Sequence, residues 1–189
     1  VIIVILGIVD DKWGLDAPTK LAGQVLAAGV MAFQGIAIIW LPIGGTFVLD
    51  PLTSVLFTVI IVLVSINAIN FVDGLDGLAA GIVAVAAGAF FIYAYVLSVE
   101  LGLERATLAT LVSVVLVGMG LGFLPNNLFP ARIFMGDTGS MLLGLLLAAA
   151  TITLSGQVDP SALSGGAFLP TLLPVILPLA VMALPLVDL

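Results

Sequence analysis

Residues 52–78 read LTSVLFTVIIVLVSINAINFVDGLDGL, an apolar run that ends abruptly in a polar motif of Asn, Asp and Gly. The apolar part approaches the roughly 20 residues that a helix needs to cross the hydrocarbon core of a bilayer. Its hydrophobic residues follow one another without the alternation that is typical of a half-buried strand. Because only helices and closed barrels satisfy every backbone group in lipid, this run predicts a membrane-spanning helix.

The composition extends this interpretation to the whole chain. Of its 189 residues, 62% are hydrophobic and only 8% are charged, whereas about 25% of the residues in an ordinary soluble domain are charged. The chain has no cysteine and no histidine. This excludes disulfides, thiolate or imidazole metal ligands, and a histidine base within these residues.

The distribution of apolar runs predicts an all-α fold, a polytopic transmembrane helix bundle that forms one integral membrane domain over residues 1–189. Asp16, Pro18 and Thr19 predict the start of a helix. Because the sequence begins inside one apolar run and ends just after another, we expect it to be a fragment. The predicted spans are 20–40, 52–70, 76–98, 106–123, 137–154 and 168–187, with a partial span at Val1 to Val9.

Counting the crossings assigns each connection to a side of the membrane. The connections 10–19, 71–75 and 124–136, together with Asp188, fall on one side, and those near 41–51, 99–105 and 155–167 fall on the other. Lys12, Lys20 and Arg132 lie on the first side, and only Arg105 lies on the second. The positive-inside rule therefore predicts that the first side is cytoplasmic.

Two acidic motifs on this side flank the first predicted spans. The first is Asp10-Asp11, followed by Lys20 and, one helical turn later on the same face, by Gln24. Its simpler alternative is a solvated loop that ends a helix. The second motif repeats every three residues and consists of Asn67, Asn70, Asp73 and Asp76.

The second motif allows two local structures. In one continuous helix, its four residues would occupy about half of the circumference. Alternatively, Gly74 and Gly77 break the helix and turn backbone N–H groups toward an anion. The alternative to a functional role is a polar stripe at helix contacts, but ionisable residues in spans usually have a function.

The third motif runs from Asn127 through Pro130 and Phe134 to Asp137, where an apolar span begins. Asp137 is predicted to cap that helix, and a plain N-cap is the alternative to a chemical role. Carboxylates do not attract phosphates, so acids that face a pyrophosphate must act through a cation. A donor set of oxygens alone favours Mg²⁺ or Mn²⁺ over zinc.

In this order and spacing, the motifs closely resemble the polyprenyl-phosphate N-acetylhexosamine-1-phosphate transferase family (glycosyltransferase family 4). The closest branch is that of the bacterial undecaprenyl- or decaprenyl-phosphate GlcNAc-1-phosphate transferases. The short loop from Asp11 to Lys20 is typical of members that use UDP-GlcNAc. Members that use UDP-MurNAc-pentapeptide, the alternative, usually have a longer loop here. The matching stretches are Asp10-Asp11 with Lys20 and Gln24, Asn67 to Leu78, Asn127 with Pro130, Phe134 to Ser140, and Pro185 to Asp188.

The resemblance implies an Mg²⁺-dependent enzyme, with Mn²⁺ as a substitute, that transfers a sugar 1-phosphate from a UDP-sugar to a polyprenyl phosphate and releases UMP. It implies a multi-pass plasma-membrane protein whose active site faces the cytoplasm, and which takes part in cell-wall biogenesis. The expected partners are the UDP-sugar, the polyprenyl phosphate and the bilayer, with no nucleic acid; a homodimer is left open. Family members have about ten or eleven spans and a His-containing loop that should follow Asp188. The implied residues are Asp10, Asp11 and Asp73 for catalysis, Lys20, Asn70, Asp76, Asn127 and Phe134 for substrate binding, and Asp137 for the metal.

Two rival classes share parts of this pattern. An ion-coupled secondary transporter also combines intramembrane acids with helices broken by Gly, but it predicts polar groups near the bilayer midplane and an internal repeat. The acidic motifs here lie at one edge of the spans, and the two halves show no matching segments. A CDP-alcohol phosphotransferase needs further Asp residues along one helix, and the segment from Gly77 to Ser98 has none.

Overall fold

The computed structural model describes residues 1–41, 47–99 and 106–157, and it confirms the helical fold class for them. Two short strands, which the sequence analysis did not predict, accompany the helices. The elements are α1 (Ile2–Trp13), α2 (Ala17–Phe33), β1 (Trp40–Leu41), β2 (Phe47–Val48), α3 (Pro51–Val72), α4 (Leu78–Val99), α5 (Ala106–Asn127) and α6 (Gly136–Gln157).

Four of these helices are long and apolar enough to cross a membrane: α3, α4, α5 and α6. They correspond to the predicted spans 52–70, 76–98, 106–123 and 137–154, and α5 continues four residues further than predicted. Together they make the chain a multi-pass membrane protein. The predicted span 168–187 lies outside the described residues.

The predicted span 20–40 is wrong in its second half. The helix α2 ends at Phe33, and Gly35 follows with a φ of 94°, a conformation that does not continue a right-handed helix. The chain then forms the antiparallel pair β1 and β2. The main chain of Ile38 bonds to α3, where Thr58 Oγ1 accepts from its N–H (2.9 Å) and Ser54 Oγ donates to its carbonyl (2.7 Å). This apolar segment can therefore be non-helical, because hydroxyl groups of the neighbouring α3 form the hydrogen bonds that its backbone would otherwise make within a helix.

The helix α6 is the centre of the described bundle, because it packs against α1, α3, α4 and α5. About 61% of its spanning segment is buried, against 22% for α5. Two glycines allow the closest contacts. A Cβ on Gly144 would lie 2.6 Å from Ile66 Cα in α3, and a Cβ on Gly7 in α1 would lie 2.3 Å from Thr138 Cα in α6. Small residues thus let these backbones approach one another, as is common between membrane helices.

The second motif, from Asn67 to Asp76, extends across a break between two helices. The helix α3 ends at Val72, α4 begins at Leu78, and Gly77 between them has a φ of 76°. Of the two local structures considered above, the broken helix is therefore the one observed. The N–H of Gly77 donates to Asn127 Oδ1 (3.1 Å), so this amide is already occupied by a protein acceptor.

Candidate active site

The carboxylate of Asp137, in the first turn of α6, contacts residues from two other helices. Lys20 Nζ of α2 lies 2.6 Å from Asp137 Oδ2. Asn70 Nδ2 of α3 donates to Asp137 Oδ1 and also to Ser140 Oγ (2.8 Å). Lys20 and Asp137 are 117 positions apart in the sequence, so distant motifs meet at one end of the bundle.

Asp10 of α1 completes this group. Its side chain is buried, its Oδ2 lies 2.8 Å from Lys20 Nζ, and its Oδ1 accepts from the N–H of Leu15 (2.7 Å). The ammonium of Lys20 therefore sits between two carboxylates, those of Asp10 and Asp137. We call Asp10, Lys20, Asn70 and Asp137 the carboxylate cluster. The ammonium of Lys20 thereby neutralises a buried acid.

Asp11 faces the first turn of α6. Its Oδ1 accepts from the N–H of Asp137 (2.7 Å), and its Oδ2 accepts from the N–H of Thr138 (3.1 Å) and from Thr138 Oγ1 (2.6 Å). Asp137 was predicted to cap α6, but it lies inside the first turn, and Asp11 of α1 accepts the free N–H groups instead. The side chain of Asp137 is thereby free to point toward Lys20 and Asn70.

Asp73 follows α3 immediately, at its C-terminal cap. Burial, together with the negative charges of Asp137 and Asp11, raises the pKa of Asp73 to about 6. A carboxylate destabilised by neighbouring carboxylates is the arrangement expected where a cation is to be held. Asp73 therefore lies close enough to Asp137 for the charge of Asp137 to act on it.

Asp76 and Asn127 bind main chain rather than one another. Asp76 Oδ2 accepts from the N–H of Ala131 (3.0 Å), and the buried Asn127 accepts from Gly77 while its Nδ2 donates to the carbonyl of Ile133 (3.0 Å). These bonds hold residues 128–135, which we call the anchored loop. Phe134 belongs to this loop, and 76% of its surface is exposed.

Sequence reasoning missed two contributors. Thr138 and Ser140 were quoted only as part of a motif, yet each bonds to a predicted site residue, Asp11 and Asn70 respectively.

Gln24 and Asn67 were noted in separate motifs, but the structure pairs their amides reciprocally, at 2.9 and 3.4 Å. Two features of the sequence could have indicated this contact: the polar residues repeated every three positions at the end of α3, and the position of Gln24 one helical turn after Lys20.

The donor set fits a hard cation such as Mg²⁺. It contains only oxygen ligands, and the ammonium of Lys20 already occupies a place between two carboxylates. Within residues 1–41, 47–99 and 106–157, no group of three or more acidic side chains could hold a metal on its own.

Comparison with known proteins supports the same relationship. Residues 1–155 match the family model described as Glycosyl transferase family 4. The chain is 45% identical over 193 positions to the decaprenyl-phosphate N-acetylglucosaminephosphotransferase of Mycobacterium tuberculosis, covering 100% of this chain and 48% of that protein. The protein of the same name from Mycobacterium leprae is 46% identical over 189 positions, covering 97% of this chain and 48% of its own length.

A second group of relatives carries a different name. The phospho-N-acetylmuramoyl-pentapeptide-transferase of Desulforudis audaxviator is 38% identical over 197 positions, covering 92% of this chain and 56% of that protein. The chain thus spans about half the length of the curated relatives it matches. The matched residues include all three acidic motifs and the helices that bring them together. The chain belongs to glycosyl transferase family 4.

Proposed function

We propose that the protein containing this chain transfers N-acetylglucosamine 1-phosphate from UDP-GlcNAc to a polyprenyl phosphate and releases UMP, in cell-envelope polysaccharide synthesis. The observation that carries the proposal is the carboxylate cluster, in which Asp137 is held by Lys20 and Asn70 at one end of an apolar bundle. Such a site suits the reaction because the donor is a charged, water-soluble nucleotide sugar, whereas the acceptor is a lipid.

The proposed reaction is a single phosphoryl transfer. A phosphate oxygen of the polyprenyl phosphate attacks the β-phosphorus of the UDP-sugar, the bond from this phosphorus to the bridging oxygen breaks, and UMP leaves. The sugar phosphate becomes the outer phosphate of a lipid diphosphate. A phosphate monoester is largely anionic at neutral pH, so no strong base is required. Catalysis then rests on positioning and on charge stabilisation.

The chain's own residues divide these tasks. Asp137 and Asp73 would hold Mg²⁺, which when bound neutralises the charge that develops on the leaving phosphate. Lys20 lies 2.6 Å from Asp137 and would pair with a phosphate oxygen once a cation takes its place. Asn70 orients Asp137, and Asp10 keeps Lys20 at the site. Asp76, Asn127 and Phe134 would form the uridine site, Asp76 and Asn127 by shaping the anchored loop and the exposed Phe134 by direct contact.

The identity of the donor sugar is the finer part of the proposal. The relatives named for N-acetylglucosamine are 45% and 46% identical to this chain, and the one named for N-acetylmuramoyl-pentapeptide is 38% identical. This difference favours UDP-GlcNAc and decaprenyl or undecaprenyl phosphate. UDP-MurNAc-pentapeptide is the second candidate, and both donors would use the same carboxylate cluster.

We place the carboxylate cluster at the cytoplasmic face of the plasma membrane. Three of the four basic residues lie in or beside the connections predicted on the same side as the cluster, and basic residues favour the cytoplasmic side. A reporter fused after Asp16 or Arg132 should then report the cytoplasm, and one fused after residue 45 or 160 the outside. Opposite locations for Asp16 and Arg132 would contradict a shared site.

The activity is tested with the full-length protein in detergent, polyprenyl phosphate and Mg²⁺, and a panel of UDP-sugars that includes UDP-MurNAc-pentapeptide. The expected result is release of UMP and formation of a lipid diphosphate sugar with UDP-GlcNAc only. The same protein with Asp137→Asn is the matched control for contaminating hydrolases. Absence of UMP release with every donor would contradict the proposal, and release with UDP-MurNAc-pentapeptide alone would support the second candidate.

A further inference from the structure

Adjacent residues Asp10 and Asp11 have different contacts, which suggests different tasks. Asp10 is buried and pairs with Lys20, whereas the exposed carboxylate of Asp11 bonds to the start of α6. We infer that Asp11 is a positioning residue that fixes the first turn of α6, and with it the Asp137 carboxylate, and that it neither accepts a proton from the substrate nor binds the metal. This inference rests on the proposed function for the role of Asp137.

The hydrogen bonds of Asp11 leave little room for another role. Its two oxygens accept three bonds, from the N–H of Asp137, the N–H of Thr138 and Thr138 Oγ1, at 2.6–3.1 Å. Because donors of α6 engage both oxygens, the carboxylate is held against that helix rather than directed at Lys20 or Asn70.

The backbone around Asp11 is shaped for this contact. A Cβ on Gly136 would lie 2.9 Å from Asp11 Oδ1, and Gly136 has a φ of 65°, which disfavours any other residue. On the facing helix, a Cβ on Gly7 would meet the backbone of Thr138. Both glycines permit α1 to approach the start of α6, where free N–H groups and the helix dipole favour a negative charge.

The position of Asp11 also explains why it can act on Asp137 without touching its side chain. The N–H that Asp11 binds belongs to Asp137 itself, while the carboxylate of Asp137 points to Lys20 and Asn70. Fixing this backbone amide limits the movement of the Cα from which the carboxylate extends. A shift of about 1 Å at such a group can cost on the order of a hundredfold in rate.

The first test compares Asp11→Asn with Asp11→Ala in the full-length protein. Asparagine caps helices about as well as aspartate but is neither a base nor a good metal ligand. For a positioning role, we expect Asp11→Asn to keep kcat within tenfold of the wild type with an unchanged pH profile, and Asp11→Ala to lose about 10- to 100-fold. Equal losses in both variants, or a pH profile altered by Asp11→Asn, would overturn the inference.

The second test measures binding of Mn²⁺ alone, by electron paramagnetic resonance, so that it does not depend on turnover. Asp11→Ala should weaken Mn²⁺ binding several-fold because Asp137 is less well placed, and Asp11→Asn, which keeps one of the two acceptor oxygens, should restore part of the binding. Asp16→Asn, at an exposed acid one loop away without a side-chain cap bond, controls for the lost surface charge. Weakening by Asp11→Asn equal to that by Asp11→Ala would identify a metal ligand and refute the inference.

A third test separates this inference from the proposed function. Thr138→Val removes the hydroxyl donor to Asp11 and keeps the side-chain shape. The effects of Thr138→Val and Asp11→Ala on the unfolding midpoint should be non-additive, because both remove the same contact. If the wild type lacks transferase activity but this coupling is present, the proposed function fails while the structural contact stands. Additive effects would show that Asp11 does not hold α6.

Discussion

The carboxylate cluster and the anchored loop lie at the same end of the bundle but are built differently. In the carboxylate cluster, charged and amide side chains bind one another, as Lys20 does with Asp10 and Asp137. In the anchored loop, Asp76 and Asn127 bind main-chain groups. Bonds to the main chain fix the course of the loop, whereas pairs between side chains can exchange partners when a cation or a phosphate enters. We therefore expect the chemistry to depend on the carboxylate cluster and the shape of the site to depend on the anchored loop.

The largest effect should come from the centre of the cluster. Asp137→Asn keeps the shape and one acceptor oxygen but removes the charge, so turnover of the full-length protein should fall by a hundredfold or more, since even residues behind a metal ligand are worth roughly 10- to 100-fold. Stabilisation of the protein by Mg²⁺ should be lost in a thermal unfolding assay. Normal turnover with an unaltered Mg²⁺ dependence would remove Asp137 from the chemistry.

Lys20→Met tests whether the ammonium of the cluster supports the fold as well as the reaction. It leaves the buried Asp10 without its partner; breaking a buried ion pair costs roughly 3–5 kcal/mol, and we expect the lower end because 19% of the lysine side chain is exposed. The unfolding midpoint should fall clearly, and adding Asp10→Asn should recover part of the loss. Lys12→Met, at an exposed lysine over Trp13, is the matched control. Equal midpoints for the two lysine variants would show that the pair does not stabilise the protein.

Asn127→Ala sharpens the comparison from the side of the anchored loop. It leaves the N–H of Gly77 and the carbonyl of Ile133 without their partner, at a cost of about 1–3 kcal/mol. The KM for the UDP-sugar should rise several-fold while kcat changes less than threefold, because the loop is displaced but the cluster is intact. Asn126→Ala, at an exposed neighbouring asparagine, is the control. A larger change in kcat than in KM would contradict a role in shape alone.

The smallest effect concerns Asp73 and depends on pH. Its pKa is raised to about 6 in the folded protein, so below about pH 4 it is protonated in both states and contributes nothing to stability. As the pH rises from about 4 to 6, the unfolded chain releases the proton first, and the folded protein loses stability. In the presence of EDTA, Asp73→Asn should therefore raise the unfolding midpoint by roughly 1–3 °C at pH 8 and by less at pH 5. A difference that is independent of pH would show that its charge is not destabilising.

Most of the helical fold could be predicted from the sequence because the bilayer imposes a minimum length on apolar runs. Asp50 and Pro51, for example, begin α3 as their preferences suggest. The run 20–40 could not be resolved in this way. Gly35 follows the end of α2, and the hydroxyls of Ser54 and Thr58 in α3 hold the non-helical chain at Ile38, a contact that does not appear in local hydropathy. The same limit applies to the hairpin of β1 and β2.

The sequence predicted which residues belong to the candidate site better than it predicted how they contact one another. The count of membrane crossings predicted that the acidic motifs lie at one end of the bundle. The structure shows direct contacts there among Asp10, Lys20, Asn70 and Asp137. The sequence did not show that Asp11 binds the first turn of α6 or that Asn127 binds main chain. These contacts join residues that are distant in sequence. In addition, an Asp or Asn side chain can bind either a ligand or a main-chain group, and the sequence does not distinguish the two. The roles in catalysis and in substrate binding remain predictions.

The central position of α6 has a consequence for the biogenesis of the protein. Among the described residues, four helices are long enough to span the membrane, and α6 is the least hydrophobic and the most buried of them. Insertion by the translocon depends on the apolarity of the segment itself, so α6 should enter the bilayer less efficiently than α3 or α4 when it is alone. It follows α3, against which it packs through Gly144, in the order of synthesis. The helix that carries Asp137 is therefore expected to depend on partners made earlier in the same chain for its insertion.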